Sequence, residues 1–382
     1  MNYWSKLAEL RSQRMTTVRV LVCGDTHFKA ENAVEIEAFI EKFNVAARRL
    51  QPDVIVLLGD TLDSHGRISM QALKMAVDFF KMAASYAPVY ALIGNHDRIG
   101  NTDFMSDIHP FVGLEGYPNL VIVHKAMSCT IKGRNGAEAS FIFVPYVAPG
   151  RLVEALDTLE LPDLEEEGWR SPSVDIIFAH QEIRGVQMGP IKSTEGDLWD
   201  PHWPLLCSGH IHDAQKLQEN VLYVGTPYQA TYSESPHKAI SLFEVNTLTY
   251  DDARLLKEVS YDGLVSDKDI RVKYTRISLG LPMKRTIYLP VSELGNFQLK
   301  DNEKVKLILS GSTGELKAAQ KSRAFTELTK RGVRVALAPQ AEAAQKRNLD
   351  PERPQQSYLS VFREKVSHNK ELRELFDSLF SS

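Results

Sequence analysis

Residues 18–27 read VRVLVCGDTH, a strand-forming run that stops at a glycine and turns polar at once. An apolar run of this kind fits a buried strand. The stretch that follows, 31–50, places Ile36, Ile40, Phe43, Ala47 and Leu50 at helical spacing. DVIVLL (53–58) then reads as a second strand, 69–86 as a second helix and PVYALI (88–93) as a third strand. Strand, helix, strand, helix, strand predicts a layered α/β domain. Further strands are expected at 119–123, 139–144, 174–179, 204–208, 220–224 and 239–245, which closes the domain near residue 250.

Beyond that point the pattern changes. RVKYTRISL (271–279), RTIYL (285–289) and KVKLIL (304–309) read as strands, 314–331 as a helical stretch and VRVAL (333–337) as a last strand. The expected organisation is an N-terminal extension (1–17), an α/β domain (18–250), a small α+β domain (265–338), a polar tether (339–357) and C-terminal helices (358–382). In the last helix Leu372, Leu375, Phe376, Leu379 and Phe380 form one apolar stripe.

Composition narrows the class. The chain has 382 residues, 43% hydrophobic and 25% charged, with a net charge of −4. No global field attracts nucleic acid, so any polyanion binding must be local or metal-assisted. No run approaches a membrane span and the start lacks a secretory signal, so no membrane role is expected and the default address is the cytoplasm. Cys23, Cys129 and Cys207 sit in apolar stretches without CxxC spacing and read as small core residues. No GxxxxGK[ST] loop occurs, so ATP binding of the P-loop kind is not expected.

Five polar clusters each follow directly on an apolar strand: Asp25 and His27; Asp60; Asn95, His96 and Asp97; His180; and His210 with His212. In layered α/β folds the C-terminal ends of strands form the rim where sites assemble. Singly, each cluster reads more readily as a turn or a hydrogen-bonded core group. Setting His96 and Asp97 aside, the clusters place four imidazoles, two carboxylates and an amide oxygen at one rim. His210 and His212 lie two apart, so on an extended backbone both imidazoles face one way. Mixed carboxylate, imidazole and amide oxygen without thiolate favours manganese, iron or zinc in an open site. Seven ligands fit two ions sharing a carboxylate, the arrangement that clamps both oxygens of an in-line phosphoryl displacement. The reaction class is phosphoester hydrolysis.

D-x-H, GD, GNHD, H and GHxH, in this order across residues 18–245, resemble the calcineurin-like metallophosphoesterase superfamily. The resemblance implies a metallophosphoesterase α/β sandwich with a small α+β capping domain. It also implies that Asp25, His27 and His212 hold one ion, that Asn95, His180 and His210 hold the other, and that Asp60 bridges them. His96 would be catalytic, protonating the leaving oxygen, and Asp97 would orient it. The two divalent ions would be Mn2+, with Mg2+, Fe2+ or Zn2+ as alternatives.

The text GDTLDSHG and GNHD departs from the protein-phosphatase branch. Asp63 three residues after Asp60, the segment VLYVGTPYQATYSE (221–234) and the appended domain are similar to the SbcD-type nuclease branch. That likeness implies a DNA exonuclease, and possible endonuclease, of double-strand-break repair and recombination. Its partners would be DNA, an SbcC-type coiled-coil ATPase docked on the C-terminal helices, and a second copy in a homodimer. Archaeal and eukaryotic relatives carry a histidine where this chain has Asp63. His65 either substitutes for it or is an exposed loop residue. His109, His124, His202, His237 and His368 are read as structural. A nucleotide or cyclic-nucleotide phosphodiesterase and a non-catalytic scaffold for the ATPase remain the alternative readings.

Overall fold

The computed structural model describes residues 17–64, 66–160, 168–171, 173–189, 191–246 and 271–339. The N-terminal extension before Thr17, His65, His368, the tether beyond Pro339 and the C-terminal helices lie outside the described residues. The chain divides into two compact units, Met1–Thr286 with Leu299–Lys306, and Ile287–Gln298 with Leu307–Ser382.

In chain order the elements are β1 (Thr17–Cys23), α1 (Ala33–Leu50), β2 (Val54–Leu57), α2 (Met70–Ala84), β3 (Val89–Leu92), β4 (Leu120–Val123), β5 (Met127–Lys132) and β6 (Glu138–Val144). They continue with α3 (Leu152–Asp157), β7 (Ile176–Ala179), β8 (Gln187–Met188), β9 (Ile191–Lys192), β10 (Leu205–Ser208), β11 (Gln215–Gln218), β12 (Val221–Tyr223), β13 (Ile240–Asn246) and β14 (Val272–Ile277). The last are β15 (Met283–Pro290), β16 (Glu303–Gly311), α4 (Thr313–Gln320), α5 (Arg323–Lys330) and β17 (Arg334–Pro339).

The first unit contains two six-stranded sheets, ordered β14-β13-β1-β2-β3-β4 and β11-β12-β10-β7-β6-β5. The middle of each is parallel: β1 to β4 in one, and β6, β7, β10 and β12 in the other. The layers follow from side-chain alternation. Val20, Val22 and Val56 of the first sheet meet Phe141, Phe143 and Phe178 of the second in one core. Leu21, Cys23, Ile55 and Leu57 point the other way, onto Phe39 and Phe43 of α1 and Phe79 of α2. The outer face of the second sheet, Ile142, Val144 and Ile177, is covered by Leu152 and Leu156 of α3 and by Trp169. The result is a helix, sheet, sheet, helix sandwich, an α/β class as the sequence predicts.

Local signals place the helices. In α1, Ile36, Phe39, Phe43 and Ala47 are buried on one face, and Gln51 ends the helix in a left-handed conformation with φ 47°. Ser69 caps α2, its side chain accepting the N–H of Ala72. Burying each Phe side chain contributes about 1.5–3 kcal/mol, so these helices are held mainly by their apolar faces.

The strand read at 271–279 as part of the small domain behaves otherwise. β14 pairs antiparallel with β13 and forms an edge of the first sheet, with Tyr274 stacked on Phe243 at 5.6 Å between centroids. Its boundary is thus tertiary: a partner strand, not local composition, assigns it. β15, β16 and β17 form a three-stranded sheet in that order. Leu307 and Leu309 alternate inward with Leu316, Leu328 and Val333 in its core, and Ser312 and Glu315 form a capping box on α4.

Candidate metal centre

Every cluster singled out in the sequence sits just past a strand end: Asp25 and His27 after β1, Asp60 after β2, Asn95 to Asp97 after β3, His180 after β7, and His210 with His212 after β10. The chain turns sharply there. His27, Asp60 and His210 adopt φ values of 44°, 46° and 75°, a region that costs most L-residues strain and recurs at functional sites. Gly59, at φ 98°, and Gly94 let the two loops touch: a Cβ on Gly94 would lie 2.2 Å from Asp60 Oδ1.

The structure brings all seven expected ligands together. His180 Nε2 and His210 Nδ1 each lie 3.0 Å from Asn95 Oδ1, and His180 Nε2 lies 3.3 Å from Asp60 Oδ2. On the other side His27 Nε2 is 2.9 Å from His212 Nε2 and 3.8 Å from Asp60 Oδ2. Asp25, His27 and His212 form one triad with metal-ligand proximity, and Asp60, His180 and His210 form another. Asp60 thus stands between the two.

This arrangement fits divalent cations on its own chemistry. His180 Nδ1 lies 2.6 Å from the Leu58 carbonyl, so it carries a proton, and Nε2, aimed at the Asn95 and Asp60 oxygens, is the nitrogen a cation would take. His27 Nδ1 faces Asp63 at 3.4 Å and His212 Nδ1 faces Glu234 at 3.5 Å. Their inner nitrogens meet at 2.9 Å, where one proton stands between them and a cation would take its place. Asp25 Oδ2 is buried without a hydrogen-bond partner. A buried, unsatisfied carboxylate oxygen among converging imidazoles suits a cation.

The electrostatics agree. Burial disfavours the charged form of His180, but the carboxylates of Asp60 and Asp25 outweigh it and hold the imidazole up to about 9. Burial likewise opposes a charge on His27, whose pKa is still raised by Asp63, Asp60 and Asp25. Asp60 is driven far below the usual carboxylate range: burial raises it, and the His180, His27 and His96 imidazoles more than reverse that. The pocket therefore attracts positive charge strongly.

The remaining expected residues divide. His96 stands beside the centre, with Nε2 4.0 Å from Asp60 Oδ2 and Nδ1 3.8 Å from Asp63 Oδ1. Its backbone N–H donates to Asp60 Oδ1 at 2.8 Å. Asp97 does not orient the His96 ring as expected. Its carboxylate instead accepts the backbone N–H groups of Thr61, Leu62 and Gly94 at 3.1, 2.9 and 3.1 Å, tying the β2 and β3 loops together. Burial, with the nearby Asp60 charge, pushes it up to about 7. The turn closed by the Asp97 N–H on the Gly94 carbonyl leaves Asp97 buried and His96 half-buried, so adjacency along the chain points to the wrong partner.

Asp63 is held well below the usual carboxylate range, by hydrogen bonding to His27 above all and by Lys29 at 2.6 Å, so it is an anion and no proton donor. His109 and His124, read as structural, form a triad with Glu115. His109 Nδ1 accepts the N–H of Phe111 at 3.2 Å, which leaves the proton, not a lone pair, on its other nitrogen. Sequence reasoning passes over Glu182 and Glu234. Glu182 faces His210 Nε2 at 3.9 Å with no local motif to mark it, and Glu234 closes the segment 221–234 without a role being read for it. No helix among the described residues is long and apolar enough to cross a membrane.

Residues 18–214 match the calcineurin-like phosphoesterase family. The phosphoesterase-named protein 078R of Invertebrate iridescent virus 3 is 33% identical over 360 residues, which cover 93% of each chain. Its namesake 244L of Invertebrate iridescent virus 6 is 35% identical over 311 residues, covering 81% of this chain and 99% of the relative. Among solved structures, TT1561 of Thermus thermophilus matches with a TM-score of 0.37 at 11% identity, covering 68% of this chain and 99% of that one.

Proposed function

This chain belongs to the calcineurin-like phosphoesterase family, and on that footing we propose that it is a two-metal DNA nuclease of the SbcD type. The observation that carries the chemistry is the convergence of Asp25, His27, Asp60, Asn95, His180, His210 and His212 on one rim, with His96 beside Asp60. Two divalent ions, manganese in this reading, supply Lewis-acid polarisation of the phosphoryl oxygens and an activated water when bound. The protein's residues do the rest. Asp60 stands where both ions would share it, and the Asp97 brace fixes the loop that presents it. His96, next to Asp60 at the edge of the centre, would give its proton to the departing oxygen. Asp63, locked as an anion, leaves His96 as the proton donor.

The choice of DNA over other phosphoesters is supported by the GD-x-x-D text at Asp60 and Asp63 and by the additional α+β unit of the chain. The relative 078R aligns over a length that must include most of that unit. In the same reading residues 358–382, which the sequence leads one to expect as helices, dock on an SbcC-type coiled-coil ATPase and two copies of the chain form a homodimer. The deciding experiment is manganese-dependent digestion of single-stranded, double-stranded and end-blocked DNA, with and without the genomically neighbouring ATPase. Turnover of small phosphodiesters or cyclic nucleotides, with every DNA substrate left intact, would overturn the nuclease assignment.

A further inference from the structure

The imidazoles of the centre are not alone: each outer nitrogen faces an acceptor. For His180 that acceptor is the Leu58 carbonyl. For the other three it is a carboxylate, Asp63 behind His27, Glu234 behind His212 and Glu182 behind His210. Two of these carboxylates are themselves pinned. Lys29 Nζ lies 2.6 Å from Asp63 Oδ2. Lys238 Nζ lies 3.1 Å from Glu234 Oε2 and donates to the His212 carbonyl at 2.8 Å. Lys238 is 6% exposed and Glu234 10% exposed at the side chain, so the pair is inside the protein. Glu234 also accepts the N–H groups of Ala230 and Thr231 at 3.2 and 3.1 Å. Glu182 is held by the Ser193 hydroxyl and pairs with no lysine among the described residues.

We propose that Lys238–Glu234 and Lys29–Asp63 are twin positioning relays, which orient His212 and His27 for the ion they share with Asp25, while Glu182 orients His210 for the other ion. A carboxylate behind a ligating histidine fixes the ring's tautomer and angle and makes its inner nitrogen a better donor. The lysines keep two of those carboxylates from swinging away, and Lys238, bonded to both Glu234 and the His212 backbone, sets the ring and its support as one piece. The assignment gives Asp63 a task of its own beside His27. It rests on the two-ion reading above.

The test is stepwise titration of the full chain with Mn(II), and with Co(II) for its ligand-field spectrum, after chelator treatment. Wild type binds two ions. Glu234→Gln and Asp63→Asn each weaken one binding event by about 10–100-fold, and the double variant still spares the second event. Combining Glu234→Gln with Glu182→Gln weakens both events. Lys238→Met reproduces part of the Glu234→Gln loss and adds nothing to it, which a merely structural lysine would not do; it also carries the test if Glu234→Gln fails to fold. Wild-type affinities in the variants, or losses shared equally by both events, would overturn the relay. Fewer than two ions in wild type would overturn the two-ion reading itself, and the relay with it.

Discussion

Replacing Gly94 with alanine puts the shared carboxylate under direct test. The new Cβ would stand 2.2 Å from Asp60 Oδ1 and 2.3 Å from the Asp60 nitrogen, where relaxed contact lies near about 3.5 Å. Something must yield by about 1.3 Å, and the atoms in the way belong to Asp60, a buried residue with backbone on one side and carboxylate on the other. Metal sites tolerate displacements of about 0.2 Å, so the carboxylate leaves its working position. Because Asp60 stands between both triads, Gly94→Ala is expected to weaken both ions by at least about 10–100-fold each. His212→Ala, by contrast, should weaken only one. The overpacking itself costs about 1–3 kcal/mol of fold stability, which a chelator-treated thermal melt measures separately. The assay is metal content after desalting, with a Mn(II) titration. A Gly94→Ala protein that keeps two ions at wild-type affinity and turns over normally would refute the shared-carboxylate geometry.

Other outcomes follow from the same centre. His96→Ala should abolish turnover while metal content stays at the wild-type level; loss of metal instead would make His96 a ligand. Metal loading should release protons, because the metal-free protein holds the His180 imidazole protonated up to about 9; apparent affinity should fall about tenfold per pH unit of acidification for each proton displaced, read by titration in weak buffer. In chelator-treated protein the same charge, paired with Asp60 and Asp25, stabilises the fold fully below its unfolded value near about 6.5. That contribution is lost as pH rises through about 9, and melts across that range measure it. Asp97→Asn turns an amide donor toward one of three backbone N–H groups and should cost about 1–3 kcal/mol, visible in denaturant unfolding.

Much of this is legible in the sequence because two periodicities carry it. The alternation of apolar runs with helical stripes locates β1, α1, β2, α2 and β3, and the polar residues after strand ends mark the rim before any geometry is known. Less legible is what depends on a distant partner. Apolar runs buried on both faces look alike whichever sheet they join, so nothing in 139–144 or 174–179 announces a second sheet, and nothing in 271–279 announces the first. Asp97 misleads for a related reason: a sharp turn separates neighbours that a linear text places together. The roles of Glu182 and Glu234 are invisible, although Glu234 ends the segment 221–234, because a carboxylate in a loop has no signature until the histidine it supports is found beside it.

The two facing sheets have one more consequence. Asp25, His27, Asp60 and Asn95 issue from the first sheet, and His180, His210 and His212 from the second. Neither sheet holds a complete ligand set for either ion, so each bound ion would act as a rivet across the seam. Occupancy then reports how well the layers are docked. A cavity cut at the opposite end of the strands from the rim, at Val18 in the core between the sheets, would loosen metal without touching a ligand, and metal would in turn slow the parting of the layers.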